Sequence, residues 1–368
     1  MKSSAMANSI LRAVPLPRAG PFPTMDPFLF AVYHVDAYPA DPSGGRMEFL
    51  EPGDGHDFDP SAPYRMYHGD HVPGFPQHPH RGFETITATM RGLVDHADST
   101  GNAGRYGEGD LQWMTAGKGI VHGEMFPLVN SDKPNHLQFF QIWLNLPKAK
   151  KMVDPSFAMF WANDVPKWTS SDELSNVTIF AGNYFLDKET NQNNPPPDSW
   201  AANPDNDVAV LRIVVKPGGK MVLPRANKGE QGVNRTIYLL DGLDGVKIDG
   251  KIVSQKVCIT LDATKDVSIE LPREARDASE FLVLQGRPID EPVVQHGPFV
   301  MNTQQEIRQA FFDYQRTQFG GWPWHRDDMI FPSNKGRFAL VDGKETFPTE
   351  LRNQDDFKDE KKASDNEL

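Results

Sequence analysis

From Phe28 onward the chain is a succession of short apolar runs broken by Gly, Pro, Asp and Ser: FLFAVYHV over 28–35, ETITATMRGLVDHAD over 84–98, DLQWMTAG over 110–117, KGIVHGEM over 118–125 and HLQFFQIWLNLP over 136–147. Runs of this length between turn residues predict β-strands, and their spacing predicts an antiparallel barrel or sandwich. A long loop rich in turn residues occupies 53–77. After a polar, Pro-rich stretch over 188–207, a second β-rich block runs from Val208 to about Gln285, with VAVLRIVV, TIYLLDG, KVCITL, VSIELP and EFLVLQG as its strands. The two blocks share a strand, Gly-turn, strand pattern that hints at duplication.

One helix is marked near the end. Thr303 and Glu306 read as a capping box, Ile307, Ala310, Phe311 and Tyr314 follow at helical spacing, and Gly320-Gly321 offers a stop. Such an amphipathic helix is expected to pack on a barrel. The expected organisation is a flexible leader over 1–24, a first β domain over 25–160, a connecting segment with a Pro-rich insertion over 161–206, a second β domain plus helix over 207–320, and an extension ending in a disordered acidic tail over 321–368. The fold class is therefore all-β with two domains in one chain.

Composition narrows the function. The 368 residues carry a formal net charge of -12, which argues against gripping nucleic acid by phosphate neutralisation. It leaves room for binding a basic, DNA-holding protein. Cys258 is the single cysteine, so no intramolecular disulfide forms, as in a reducing compartment; the KVCITL context makes it a buried strand residue. No run reaches the ~20 apolar residues of a membrane-spanning helix. The leader lacks a signal-peptide core, and its Ser, Ala and Arg content without acids before Asp26 leaves organelle targeting as a weaker alternative to a cytoplasmic or nuclear location.

The chemistry concentrates in two pairs. His78 and His80 in QHPHRGFE are answered by His122 and Glu124 in GIVHGEM. In a strand, residues i and i+2 share a face, so each pair offers two ligands to one point. Three imidazoles and a carboxylate suit iron, manganese, nickel, copper or zinc rather than magnesium or calcium. Glu84 competes for the fourth position, since an unbroken strand would give it the parity of His78 and His80. It would then lie roughly 13 Å beyond His80, against about 6–7 Å between His122 and Glu124, which favours Glu124. Nine of the eleven histidines lie at or before His136 and none between Val208 and Gln285, so a metal site belongs to the first domain. His34 reads as a core or rim histidine, and His96, next to Asp95 and Asp98, as part of a salt-bridged turn.

HPHRGFETIT, GDLQWMTAGKGIVHGEM and EPVVQHGPFVMNTQQEIRQAF closely resemble the pirin family of the cupin superfamily, a likeness that covers roughly residues 24–320. The resemblance implies two cupin barrels (double-stranded β-helices, or jelly rolls), with one metal in the first, held by His78, His80, His122 and Glu124. It implies iron, cycling between Fe(II) and Fe(III), and a second cupin without metal. It implies two functions: a quercetin 2,4-dioxygenase-like activity on a flavonol and O2, opening the heterocycle and releasing carbon monoxide, or a redox-sensing transcriptional co-regulator that binds a DNA-binding protein. Other small-molecule chemistry is a third reading, because cupins host many reactions. In the dioxygenase reading Glu124 is both ligand and catalytic base. Phe75, Phe83, Trp113 and Met114 supply an apolar pocket wall or barrel core, Arg81 binds an anionic substrate or forms a rim salt bridge, Gln112 hydrogen-bonds a ligand, and Glu84 supports the ligands or is structural. The expected state is a monomer without membrane or direct nucleic-acid contact. The insertion around Pro195–Pro197 and the GGWPWHRDD segment after the helix depart from the family pattern, and either could alter a pocket mouth or partner surface.

Overall fold

A computed structural model describes residues 9–17, 20–48, 64, 69–185 and 194–348. Two antiparallel β-barrels face each other. Counting from Ile10–Pro15 as β1, the first barrel uses β2 (Phe28–Tyr38), β3 (Gly74–His80), β4 (Phe83–Arg91), β5 (Leu93–Asp98), β6 (Ala103–Gly107), β7 (Leu111–Thr115), β8 (Ile120–Met125), β9 (Asn135–Asn145) and β10 (Ser156–Phe160). One of its sheets has the order β10-β7-β4-β9-β2. The other runs β6-β5-β8-β3 and continues beyond β6 with Phe338–Val341 and Lys344–Thr346.

The second barrel packs a seven-stranded sheet, with Ala209–Val215, Asn234–Asp241 and Ser279–Gly286 at its centre, against a four-stranded sheet containing Lys220–Leu223 and Val267–Glu270. Its interior is apolar, filled by Leu211, Ile213, Met221, Leu223, Ile237, Ile269, Phe281 and Val283.

Strand alternation divides each sheet between two cores. Ile86, Ala88, Leu111, Trp113, Phe140, Ile142 and Leu144 of the first barrel meet Val210, Tyr238, Leu240, Leu282 and Leu284 of the second in one buried cluster between the barrels. Cys258 belongs to this cluster, as a buried strand residue should, and burial pushes its thiol up to about 11. The intervening residues, among them Met114, Phe139 and Tyr106, point into the first barrel.

Three expected boundaries give way to tertiary pairing. Within the supposed leader, Ile10–Pro15 (β1) forms an antiparallel strand against Val257–Leu261 and covers the edge of the second barrel's large sheet, which would otherwise present unpaired backbone groups. The supposed connecting segment supplies Lys167–Thr169 and Ser175–Ala181 to that same sheet. Part of the extension returns to the first barrel, where Phe338–Val341 pairs with β6. The acidic tail after 348 lies outside the described residues.

The helix α1 (Gln304–Thr317) starts as its capping box requires, with the Thr303 side chain accepting from the Glu306 backbone N–H. It ends at Gln318 in the left-handed conformation, two residues before the glycines. Ile307 and Ala310 pack it on Phe299 and Met301.

Candidate metal centre

β3 and β8 lie side by side and antiparallel, with His78 directly opposite His122. Their register shifts by one residue between Phe75 and His78: Phe75 faces Glu124, so residues 76 and 77 oppose Gly123 alone. This β-bulge re-aims the strand just before the first ligand. His78, His80 and His122 converge, with one ring nitrogen from each within 4.8 Å of the others. Their ring centroids are 4.5 Å apart for His78–His122, 4.8 Å for His78–His80 and 5.0 Å for His80–His122.

The donor chemistry fits a transition metal. His78 Nδ1 donates to the Pro76 carbonyl at 2.8 Å, which leaves Nε2 as the lone-pair nitrogen of the neutral ring. His122 is fully buried and neither of its ring nitrogens has a hydrogen-bond partner among the described residues; His80 Nδ1 is in the same position. Buried polar atoms without partners are costly, and a metal ion resolves that cost for imidazole. Burial first, and the neighbouring imidazoles second, hold His80 and His122 well below the ordinary histidine range. Both rings are therefore neutral, as ligands must be.

Glu124 is buried beside this cluster but is not among the atoms that converge within 4.8 Å. Its Oε2 accepts from Gln141 Nε2 at 2.8 Å, and its Oε1 from the Thr87 hydroxyl at 3.0 Å and the Tyr106 hydroxyl at 3.4 Å. Burial raises its pKa, with His96 and the three hydrogen bonds pulling the other way. Tyr106 is pushed well above the ordinary phenol range, by burial first and then by Glu124, so it stays a donor. Thr87, Tyr106 and Gln141 carry no motif. Only the alternation that turns them inward on β4, β6 and β9 could have marked them.

The remaining expected residues scatter. Phe75 and Phe83 lie edge-on to His78 and His80, at 6.3 Å and 5.0 Å between centroids, and Trp143 joins them 5.3 Å from His80. Gln112 points inward, with its Oε1 3.3 Å from the Tyr106 hydroxyl as an alternative acceptor to Glu124 for its one proton. Trp113, on the opposite face of β7, lies in the cluster between the barrels and forms no part of a pocket wall. Glu84 is also turned that way, accepting from Thr115 Oγ1 at 2.8 Å and Ser199 Oγ at 2.5 Å. The assumed unbroken strand fails at Arg81 and Gly82, where β3 ends and β4 begins in a different sheet. Gly82 has φ 87°, and a Cβ there would meet the Val300 carbonyl oxygen at 2.0 Å.

Arg81 is the salt bridge rather than an open anion receptor. Its Nη1 donates to Asp313 Oδ2 at 2.8 Å, its Nε donates to the Lys118 carbonyl at 2.6 Å, and its guanidinium lies 4.6 Å over the Phe319 ring. It thereby fastens α1 to the first barrel while lining a cavity of about 730 Å³. None of the three histidines lines that cavity. His96 bonds Asp98 as expected, Nε2 to Oδ2 at 3.0 Å. It does so from a buried strand position opposite Glu124, 5.5 Å from His122 between ring centroids, rather than in a turn. His34 is buried and stacked on Phe139 at 4.3 Å.

Comparisons with known proteins identify the family. The Pirin family pattern matches residues 47–144, and the pattern of the Pirin C-terminal cupin domain matches residues 210–320. Human pirin is 34% identical over 265 residues, 71% of this chain and 83% of that protein. A Pseudomonas aeruginosa protein, provisionally named a quercetin 2,3-dioxygenase, is 34% identical over 246 residues, 67% of this chain and 79% of that protein. A crystal structure of quercetin 2,3-dioxygenase from Acinetobacter baumannii superposes with a TM-score of 0.63 at 27% identity, covering 85% of this chain and 98% of that one. The two cupin barrels, the histidine cluster and this similarity lead to one conclusion: the chain belongs to the pirin family.

Proposed function

We propose that the chain is a metal-dependent flavonol dioxygenase in which His78, His80 and His122 are the imidazole ligands, Glu124 is the fourth ligand and proton acceptor, and iron is the working ion. The observation that carries this reading is the convergence of three imidazoles within 4.8 Å, two of them fully neutralised by burial, beside a buried and hydrogen-bonded carboxylate. The substrate class comes from the quercetin 2,3-dioxygenase name of the structural neighbour. Manganese, nickel, copper and zinc suit the same donors, so metal analysis is the first measurement. The redox co-regulator alternative rests on the family resemblance.

An ion held by His78, His80, His122 and Glu124 would lower the pKa of a flavonol hydroxyl and would supply redox chemistry toward O2. The chain's residues do the rest. Gln141 and Thr87 fix the Glu124 carboxylate, whose raised pKa makes it a better acceptor for the hydroxyl proton. Tyr106 remains protonated and donates toward the same carboxylate. The rings of Phe75, Phe83 and Trp143 around the histidines provide apolar surface that keeps water from the reacting centre.

The test is O2 uptake and loss of the quercetin absorption band with iron-loaded protein. Turnover is expected in the wild type and none in His122→Ala. A metal-loaded wild type that leaves quercetin intact while a known quercetinase turns over would remove the flavonol assignment.

A further inference from the structure

The residues after the family match are bound to the metal strand. The C-terminal cupin pattern stops at residue 320, yet the following segment crosses the first barrel and reaches β3 at the bulge. The Gln77 backbone N–H, which sits in the shifted stretch of the ladder to β8, donates to the Asp327 carbonyl at 2.9 Å. The Gln77 side-chain amide donates to Asp327 Oδ1 at 2.8 Å. One residue thus holds both the backbone and the side chain of the position immediately before His78. On the other side of the bulge, the Pro76 carbonyl receives His78 Nδ1. The rotation of the first imidazole is therefore set by a bulge whose outer rim is fastened by Asp327.

The segment does not depend on Asp327 for its own attachment. Trp324 Nε1 donates to the Asp98 carbonyl at 2.9 Å, and Asp98 in turn holds His96. Buried Arg105 donates to the carbonyls of Phe331, Pro332 and Lys335, and the Phe331 N–H donates to Asp95 Oδ2 at 2.8 Å. Beyond these, Phe338–Val341 adds a strand to β6. With so many anchors, losing one exposed side chain leaves the segment in place and changes only the hold on the bulge.

We propose that Asp327 is a positioning residue for the metal centre, acting through Gln77 to fix the bulge that aims His78. The inference rests on the proposed metal site. It adds that the 321–348 segment is part of how the site is built, since groups behind metal ligands orient them and tune affinity. Without the side-chain bond the bulge keeps only the bond from the Gln77 N–H to the Asp327 carbonyl, and His78 follows any change in the geometry of that rim.

The test compares wild type, Asp327→Ala, Asp327→Asn and Gln77→Ala, each full length and each first checked for an unchanged thermal transition without metal. Cobalt(II) serves as a spectroscopic probe, with affinity measured by chelator competition and ligand geometry by its visible absorption bands. Asp327→Ala and Gln77→Ala are expected to weaken cobalt binding by about tenfold and to shift and broaden the bands. Asp327→Asn keeps an acceptor oxygen and is expected to restore both toward wild type. A merely structural contact would change melting and leave the spectrum alone. Wild-type affinity and an unchanged spectrum in Asp327→Ala overturn the positioning role while leaving the metal centre standing. Failure of the wild type to bind cobalt or iron overturns the metal centre itself, and the positioning role with it.

Discussion

Gln141 donates to Glu124 Oε2 at 2.8 Å while its own Oε1 accepts the Thr87 hydroxyl at 2.6 Å, and that hydroxyl also lies 3.0 Å from Glu124 Oε1. Thr87 has one proton, so it serves one of these acceptors at a time. The arrangement accommodates Glu124 as a carboxylate, with Thr87 donating to it. It equally accommodates a protonated Glu124 that donates to the Thr87 oxygen while Thr87 donates to Gln141. A group meant to receive a proton and release it again needs partners for both states.

Replacing Gln141 with Leu removes the donor to Oε2 and the acceptor for Thr87 in one step. Metal affinity is expected to fall by about tenfold or more, the usual range for the loss of a group that orients a ligand. Gln141→Glu would put a second carboxylate against the first and is expected to be worse than Leu. Titration calorimetry with a divalent first-row metal distinguishes these outcomes; equal affinity in all three proteins would remove Gln141 from the site.

Metal binding should also appear as stability. A ligand that binds the folded chain alone stabilises it by about 2.7 kcal/mol at a concentration one hundred times its Kd. Melting curves with and without a chelator should therefore differ for the wild type and coincide for His122→Ala. Because unpartnered imidazole nitrogens are lost in that variant, its metal-free form is not expected to melt below the metal-free wild type by more than the cavity it leaves.

Glu84 makes a separate pH prediction. It is fully buried between the barrels, and burial, ahead of the opposing hydrogen bonds from Ser199 and Thr115, raises its pKa from 4.5 to about 7. A carboxyl whose folded pKa is raised adds stability below its unfolded pKa, and that stability is lost as pH climbs through the folded value. The wild type should therefore lose stability between about pH 4.5 and pH 7 through this group, by an amount on the order of 3 kcal/mol. Glu84→Gln should flatten that part of the urea-midpoint profile. A parallel profile in the variant would show that folding does not raise the Glu84 pKa.

Trp113 distinguishes pocket from core. It is fully buried in the cluster between the barrels, on the face of β7 opposite Gln112. Trp113→Ala is expected to cost roughly 3–5 kcal/mol of stability with little effect on metal affinity at a temperature where the variant is folded. Phe83→Ala, whose ring lies against His80, should instead disturb metal binding as well as stability. Denaturant curves and metal titration on both variants separate the two roles.

The histidine pairs were readable because their information is local. Two residues apart on a strand means one face, and no distant contact is needed to say so. The helix start was equally local, with Thr303 capping Glu306. The spacing argument that set Glu84 aside does not describe how the chain turns Glu84 away from the histidines. It assumed a continuous strand, whereas the chain breaks at Gly82 and enters another sheet. For Trp113 the sequence left pocket wall and core both open, because a fully buried strand shows apolar residues on both faces, and the pattern does not say which face meets which core.

By itself the sequence determined the all-β class and the two-barrel plan and singled out the candidate ligand pairs, since strand period, turn chemistry and the distribution of histidine all lie along the chain. Only the tertiary structure decided which way Glu84 and Trp113 face, which side chains hold Glu124, and that Asp327 closes on Gln77. It also decided that Ile10–Pro15 and Phe338–Val341 are barrel strands. These relationships join residues tens to hundreds of positions apart. They arise from sheet edges that need backbone partners and from buried polar groups that need hydrogen bonds, demands that exist only once the barrels have closed.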